Sequence, residues 1–249
     1  MRIINWNIQR HAPGTWQAKS IMSEIEDLEP DLVCLTEAWE ASADELNGFT
    51  VSSRGIAWSK QESAERKVLI WSKSPLTLCN STGSMADLGG ALEVRTVLAN
   101  TQIRVLGLCI PYHMASPIGA EIKRKPWLQH NEFVDQLANF TKQLDPNVPT
   151  IVVGDFNRRI PSTWGPKKSL EKLLSALENF RLVTAGPIPG LGRNTVDHIA
   201  LSKGLTDSNV QGLSEFDSRG RPRSDHFGTL VDFDFNLSKS TKFSKTELK

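Results

Sequence analysis

Ile151-Val152-Val153-Gly154-Asp155-Phe156-Asn157 runs from an unbroken apolar segment into a glycine, an acid and an amide. Residues branched at Cβ suit a pleated strand. The absence of alternation in Ile151-Val152-Val153 predicts burial on both faces, which requires a layer on each side of the sheet. Gly, Asp and Asn favour turns, so the strand ends there and leaves Asp155 and Asn157 at a sheet edge. Such a turn accounts for these residues structurally. A chemical role needs further groups arriving at the same place.

Other short apolar runs bounded by Gly, Pro, Asn or Ser read as strands: Ile3–Ile8, Leu32–Thr36, Val68–Ser72, Leu92–Ala99, Ile103–Ile110, His198–Ser202 and Gly228–Asp234. Three segments carry a helical stripe. Ile21, Met22, Ile25 and Leu28 form one, stopped by Pro30, and Phe133, Val134, Leu137, Phe140 and Leu144 form another, stopped by Pro146. Leu170, Leu173, Leu174 and Leu177 form the third, with Ser169 as its expected N-cap. Strands outnumber helices and do not alternate with them, which predicts an α+β arrangement or two packed sheets flanked by helices. No repeat or linker divides the chain, so residues 1–236 read as one domain. Residues 237–249 are polar, with four Lys against one Glu, and read as a mobile tail.

The 249 residues carry 29 Lys+Arg against 28 Asp+Glu, a net charge of +1, and 39% are hydrophobic. That balance excludes a wholly disordered chain and a uniformly basic nucleic-acid binder. No apolar run is long enough for a membrane helix. The start, MRIINWNIQR, has no secretory apolar core. Cys34, Cys79 and Cys109 lie in apolar segments without metal-ligand spacing and read as buried, reduced thiols of a cytoplasmic protein.

Polar residues interrupt the strands at five places. Asn5 and Asn7 share a face of the first strand. Leu35-Thr36 runs into Glu37, and Val153-Gly154 into Asp155 and Asn157. Asp197-His198 opens one strand, and Ser224-Asp225-His226 precedes another. Rigid sheets can aim such residues at one point. Glu37, Asp155 and Asp225 are oxygen donors suited to Mg²⁺ or Mn²⁺. Asn7 and Asn157 add neutral polar groups, and Asp197 could orient His226 and stabilise its protonated form. This equipment suits phosphoester hydrolysis.

Asn5-Trp6-Asn7, Leu35-Thr36-Glu37, Gly154-Asp155-Phe156-Asn157, Asp197-His198-Ile199 and Ser224-Asp225-His226 occur in an order that resembles the endonuclease/exonuclease/phosphatase superfamily, with its deoxyribonuclease I-like fold. Val68–Leu76 also resembles its central strand and following turn, and the likeness runs from about Arg2 to Asp234. The resemblance implies a four-layer α/β/β/α sandwich of two mixed sheets flanked by helices. It implies Glu37 as the principal metal ligand with Asn7 beside it, and Asp225 as a further ligand or nearby acid. It implies that Asp155 orients or deprotonates water, that Asn157 positions water or phosphate, and that His226 contacts the phosphate while held by Asp197. Two positions depart from the pattern. Gln9 stands where many members carry an acid, and Cys109 where some carry Tyr or His, with Tyr112 and His113 close behind.

The expected activity is a divalent-metal-dependent nuclease or phosphodiesterase using Mg²⁺ or Mn²⁺. The alternatives are a phosphatase acting on a small phosphorylated metabolite or nucleotide, and a catalytically silent binding module. Tyr112, His113, Arg158 and Trp164 are candidate substrate contacts. Lys123-Arg124-Lys125, Arg158-Arg159 with Lys167-Lys168, and Arg219, Arg221 and Arg223 are local basic groups that could steer a polyanion. The expected partner is nucleic acid or a phosphorylated small molecule, with no membrane role and no protein partner inferred.

Overall fold

A computed structural model describes residues 1–55, 64–79, 81–88, 90–116, 125–162 and 164–236. The tail expected at 237–249 and the basic residues Lys123 and Arg124 lie outside them. In chain order the first elements are β1 (Arg2–Asn7), α1 (Trp16–Asp27), β2 (Leu32–Trp39), β3 (Phe49–Ser52), β4 (Glu65–Ser72), β5 (Thr77–Cys79) and α2 (Gly83–Leu88). β6 (Gly90–Leu98), β7 (Thr101–Cys109), α3 (Leu128–Lys142), β8 (Thr150–Asp155) and α4 (Lys167–Ala176) follow. The last are β9 (Phe180–Leu182), β10 (Pro187–Ile188), β11 (Arg193–Asn194), β12 (Asp197–Ser202), β13 (Leu205–Leu213) and β14 (Gly228–Phe235).

Two mixed six-stranded sheets result, ordered β13-β14-β1-β2-β4-β3 and β5-β6-β7-β8-β12-β9, with β10 and β11 pairing as a small hairpin. The parallel pairs are β1 with β2 and β7 with β8. Strand alternation assigns side chains to layers. In β1, Ile3 joins Leu32, Cys34, Val68 and Ile70 against Val105, Ile151, Val153 and Ile199 of the second sheet. Ile4 and Trp6 point the other way, onto Ile21, Met22 and Ile25 of α1. In β8, Ile151 and Val153 face the inter-sheet core, while Val152 meets Phe133, Val134 and Leu137 of α3 and Leu173 of α4. The unbroken apolar run is thus covered on both faces, and the layers are helix, sheet, sheet, helix.

Several local features depart from expectation. Ser169 is not the cap of α4: Pro166 holds that position, and Ser169 is buried one turn inside. Pro fits there because the first helical amides need no internal acceptor. Leu174 turns to solvent, although Leu173 and Leu177 are buried. Cys34 and Cys109 are buried thiols, but Cys79 is only half-buried on the edge strand β5. β13 had no apolar run to reveal it. It is an edge strand, with a bulge between Asp207 and Asn209. Among the described residues, no helix is long and apolar enough to cross a membrane.

The topology brings chosen chain ends to one rim. β1 ends at Asn7 beside Thr36 of the parallel β2, which runs on to Trp39, while antiparallel β4 and β14 begin at this end. In the other sheet β7 and β8 end at Cys109 and Asp155, and antiparallel β12 begins at Asp197. Gly154 makes this rim possible. Its φ of +139° disfavours other residues, and a Cβ there would overlap the Leu108 carbonyl oxygen.

Candidate active site

Asp155 and Asp197 are directly opposite in the β8–β12 ladder. Two carboxylates so placed repel one another. Asp155 is buried, and burial together with the Asp197 charge pushes its carboxyl up to about 7. Its oxygens are nevertheless well supplied with donors. The Asn157 backbone amide donates to Oδ1 (2.8 Å), and the side-chain amides of Asn7 and Asn157 each donate to Oδ2 (3.1 Å). Asn157 sits at φ +50°, a strained conformation, and its amide also donates to the Ile110 carbonyl (2.9 Å).

His226 answers the negative charge. Its Nδ1 lies 2.6 Å from Asp197 Oδ2. Burial alone would push the imidazole down, yet Asp197 and the nearby Asp155 hold it up to about 10. The loop before β14 is fixed by several bonds. Trp6 Nε1 donates to the His226 carbonyl (3.0 Å), Ser224 Oγ donates to the Asn7 carbonyl (2.7 Å), and the His226 amide donates to Ser224 Oγ (3.1 Å). Gly228 leaves room for the Trp6 ring.

Glu37 follows the β2 positions paired with β1, at φ +47°. Its Oε1 lies 2.8 Å from Lys67 Nζ and its Oε2 3.6 Å from Arg10 Nε. Burial would raise its carboxyl, but Lys67 outweighs that, aided by Arg10 and His226, so it stays below the usual range. Glu37, Asp155 and His226 lie close enough to bias one another's charge. Lys67 and Arg10 were not foreseen. The signal for Lys67 was a cation directly before the apolar run Val68–Ser72.

The remaining candidates divide. Asp225 is 61% exposed, with Oδ1 4.0 Å from His226 Nε2. Tyr112, His113 and Trp164 form an aromatic cluster with Trp127; the His113 and Trp164 rings meet edge-to-face at 4.8 Å. Tyr112 and Trp164 are 44% and 56% exposed. Arg158 does not face the cleft. Its guanidinium is buried 4.6 Å over the Trp127 ring, and Nη2 donates to the Pro166 carbonyl (3.2 Å). Arg159 is the exposed member of the pair. His198 is structural: burial keeps it neutral, down to about 4, between Thr184 and the Arg158 carbonyl. Cys109, in register with Asp155, has its thiol raised well above the usual range by burial and by Asp155, which suits packing.

The donor set fits a hard divalent cation. Asp155, Asp197 and His226 each offer a ligand atom within 4.8 Å of the others. Because His226 is held protonated beside Asp197, both of its ring nitrogens carry hydrogen and the donors left are oxygens. Asp197 Oδ1 is buried without a hydrogen-bond partner among the described residues.

Residues 4–226 match the family described as Endonuclease/Exonuclease/phosphatase. No curated protein matches the chain in sequence. Solved structures share the fold. An AP endonuclease from Archaeoglobus fulgidus superposes with a TM-score of 0.65 at 16% identity, covering 94% of this chain and 99% of that one. D. rerio TDP2 complexed with single-strand DNA product gives 0.65 at 14%, covering 94% and 98%. The 3′ phosphatase NExo from Neisseria, bound to a product DNA hairpin, gives 0.65 at 17%, covering 94% and 99%.

Proposed function

The chain belongs to the endonuclease/exonuclease/phosphatase family, and on that premise we propose that it is a divalent-metal-dependent nuclease or phosphodiesterase. The observation that carries this reading is the meeting of Asp155, Asp197 and His226 at one rim, drawn from three separate strand ends.

In the proposed reaction, Asp155 aligns an attacking water and takes its proton. The amides of Asn7 and Asn157 fix the carboxylate, and its shifted value suits a base working near neutral pH. His226, kept protonated by Asp197, donates from Nε2 to a nonbridging phosphate oxygen and opposes the charge that grows during in-line attack. Glu37 and Asn7 would hold the cation, Mg²⁺ or Mn²⁺, with Asp225 at the rim. Bound there, it supplies Lewis-acid charge against the phosphate. The exposed rings of Tyr112 and Trp164, with His113 beside them, offer faces on which bases stack, which favours nucleic acid over a small phosphorylated metabolite.

The test is a substrate panel of single- and double-stranded DNA, RNA, bis(p-nitrophenyl) phosphate and phosphomonoesters, with Mg²⁺ or Mn²⁺, beside Glu37→Gln. Metal-dependent diester cleavage lost in the variant supports the reading. Turnover confined to monoesters makes the protein a phosphatase, and no turnover at all makes it a binding module.

A further inference from the structure

A cavity of about 430 Å³ adjoins His226, lined by Arg159, Arg193, Asn194, Glu215 and Phe227 among others. Its charges are almost all committed. Arg193 lies 5.0 Å over the Phe227 ring and spans both oxygens of Glu215, at 2.7 and 2.8 Å. The Asn194 amide donates to the Pro161 carbonyl. Asp225 stands toward His226 Nε2 rather than toward an arginine. Arg159 is the exception: it is exposed on the cavity wall and has no carboxylate partner among the described residues. Its position follows from the loop. Arg158 turns inward beneath Trp127, so the next side chain turns outward. An arginine left unpaired beside a protonated imidazole is a second station for an anion, because its planar fork matches phosphate oxygens.

We infer that Arg159 binds the phosphate next to the scissile one, so that the substrate is a strand of at least two phosphates running from His226 into this cavity. The inference rests on the nuclease reading and narrows it: a lone phosphoryl group would use His226 and leave Arg159 idle.

The test is fluorescence anisotropy of a short single-stranded oligonucleotide and of a mononucleotide with a single phosphate. Both are measured with a chelator present across a salt series, with Arg159→Gln, Arg159→Lys and Lys203→Gln. Lys203 follows the far end of β12, six residues from Asp197 at the rim or about 20 Å along the strand. Arg159→Gln should weaken the oligonucleotide about tenfold and lower the slope of log K against log salt by about 0.7. Arg159→Lys should keep most of the slope, Lys203→Gln all of it, and the mononucleotide should bind Arg159→Gln as it binds the parent. An unchanged slope, or an equal loss for the mononucleotide, overturns the inference while leaving the nuclease reading standing. Failure of the parent protein to bind any oligonucleotide overturns both.

Discussion

Asp197 serves two neighbours at once: it faces Asp155 across the β8–β12 ladder, and its Oδ2 lies 2.6 Å from His226 Nδ1. The same carboxylate therefore raises the acid beside it and keeps the imidazole charged. One geometric relationship sets the charge of both groups.

Asp197→Asn tests this through pH. His226 is held up to about 10 from an ordinary 6.5. A raised folded value stabilises the protein while the group is protonated, so the contribution is complete below about pH 6.5 and is lost as the pH climbs through 10. Asp155, up to about 7 from 3.8, acts in the same direction at lower pH, which leaves the interval from 7 to 10 to the histidine. The parent's melting temperature should fall across that interval, and the variant's should stay nearly flat. Turnover should drop by about 10²–10⁴.

Lys67→Met removes a buried ammonium from Glu37. An acid left in a half-buried site with only Arg10 beside it, 3.6 Å away, costs about 2 kcal/mol, less than for a fully buried pair because Glu37 keeps some solvent and this second cation. Urea denaturation should show that loss, and Lys67→Met combined with Glu37→Gln should recover most of it. Equal stability of the single and double variants would mean that the pair is not coupled.

Trp164→Ala and Tyr112→Ala remove exposed rings that contribute little to the core. Each should weaken a single-stranded oligonucleotide by about 1–3 kcal/mol if a base stacks there. Melting temperatures should move little. Titration by anisotropy separates the two effects.

Gly154→Ala forces a methyl group onto the Leu108 carbonyl oxygen of the neighbouring parallel strand, at a φ that alanine disfavours. The expected loss is about 3 kcal/mol or more. A calorimetric melt that matches the parent would show that the β7–β8 pair can open without cost.

Much of this architecture was legible because strands and helices write their burial as a period. Ile151-Val152-Val153 required cover on both faces and has it. The alternation of Asn5 and Asn7 put both on one face, which the structure turns inward: Asn5 donates to the carbonyls of Gly154 and His198. Edge strands such as β13 were illegible for the converse reason: half-exposed and polar, they carry no apolar period.

The sequence alone determined that Ile151-Val152-Val153 needs cover on both faces and that acids and amides stand at strand ends, since period 2 and turn chemistry are local properties; the choice of two packed sheets over another α+β arrangement came with the family resemblance. Only the tertiary structure decided that Lys67 meets Glu37 and that Arg158 is buried while Arg159 is not. Those outcomes depend on which rims of the two sheets meet and which side of a loop finds an aromatic floor. Contacts between residues 30 or more apart in the chain, such as Lys67 with Glu37, leave no periodic trace in either segment.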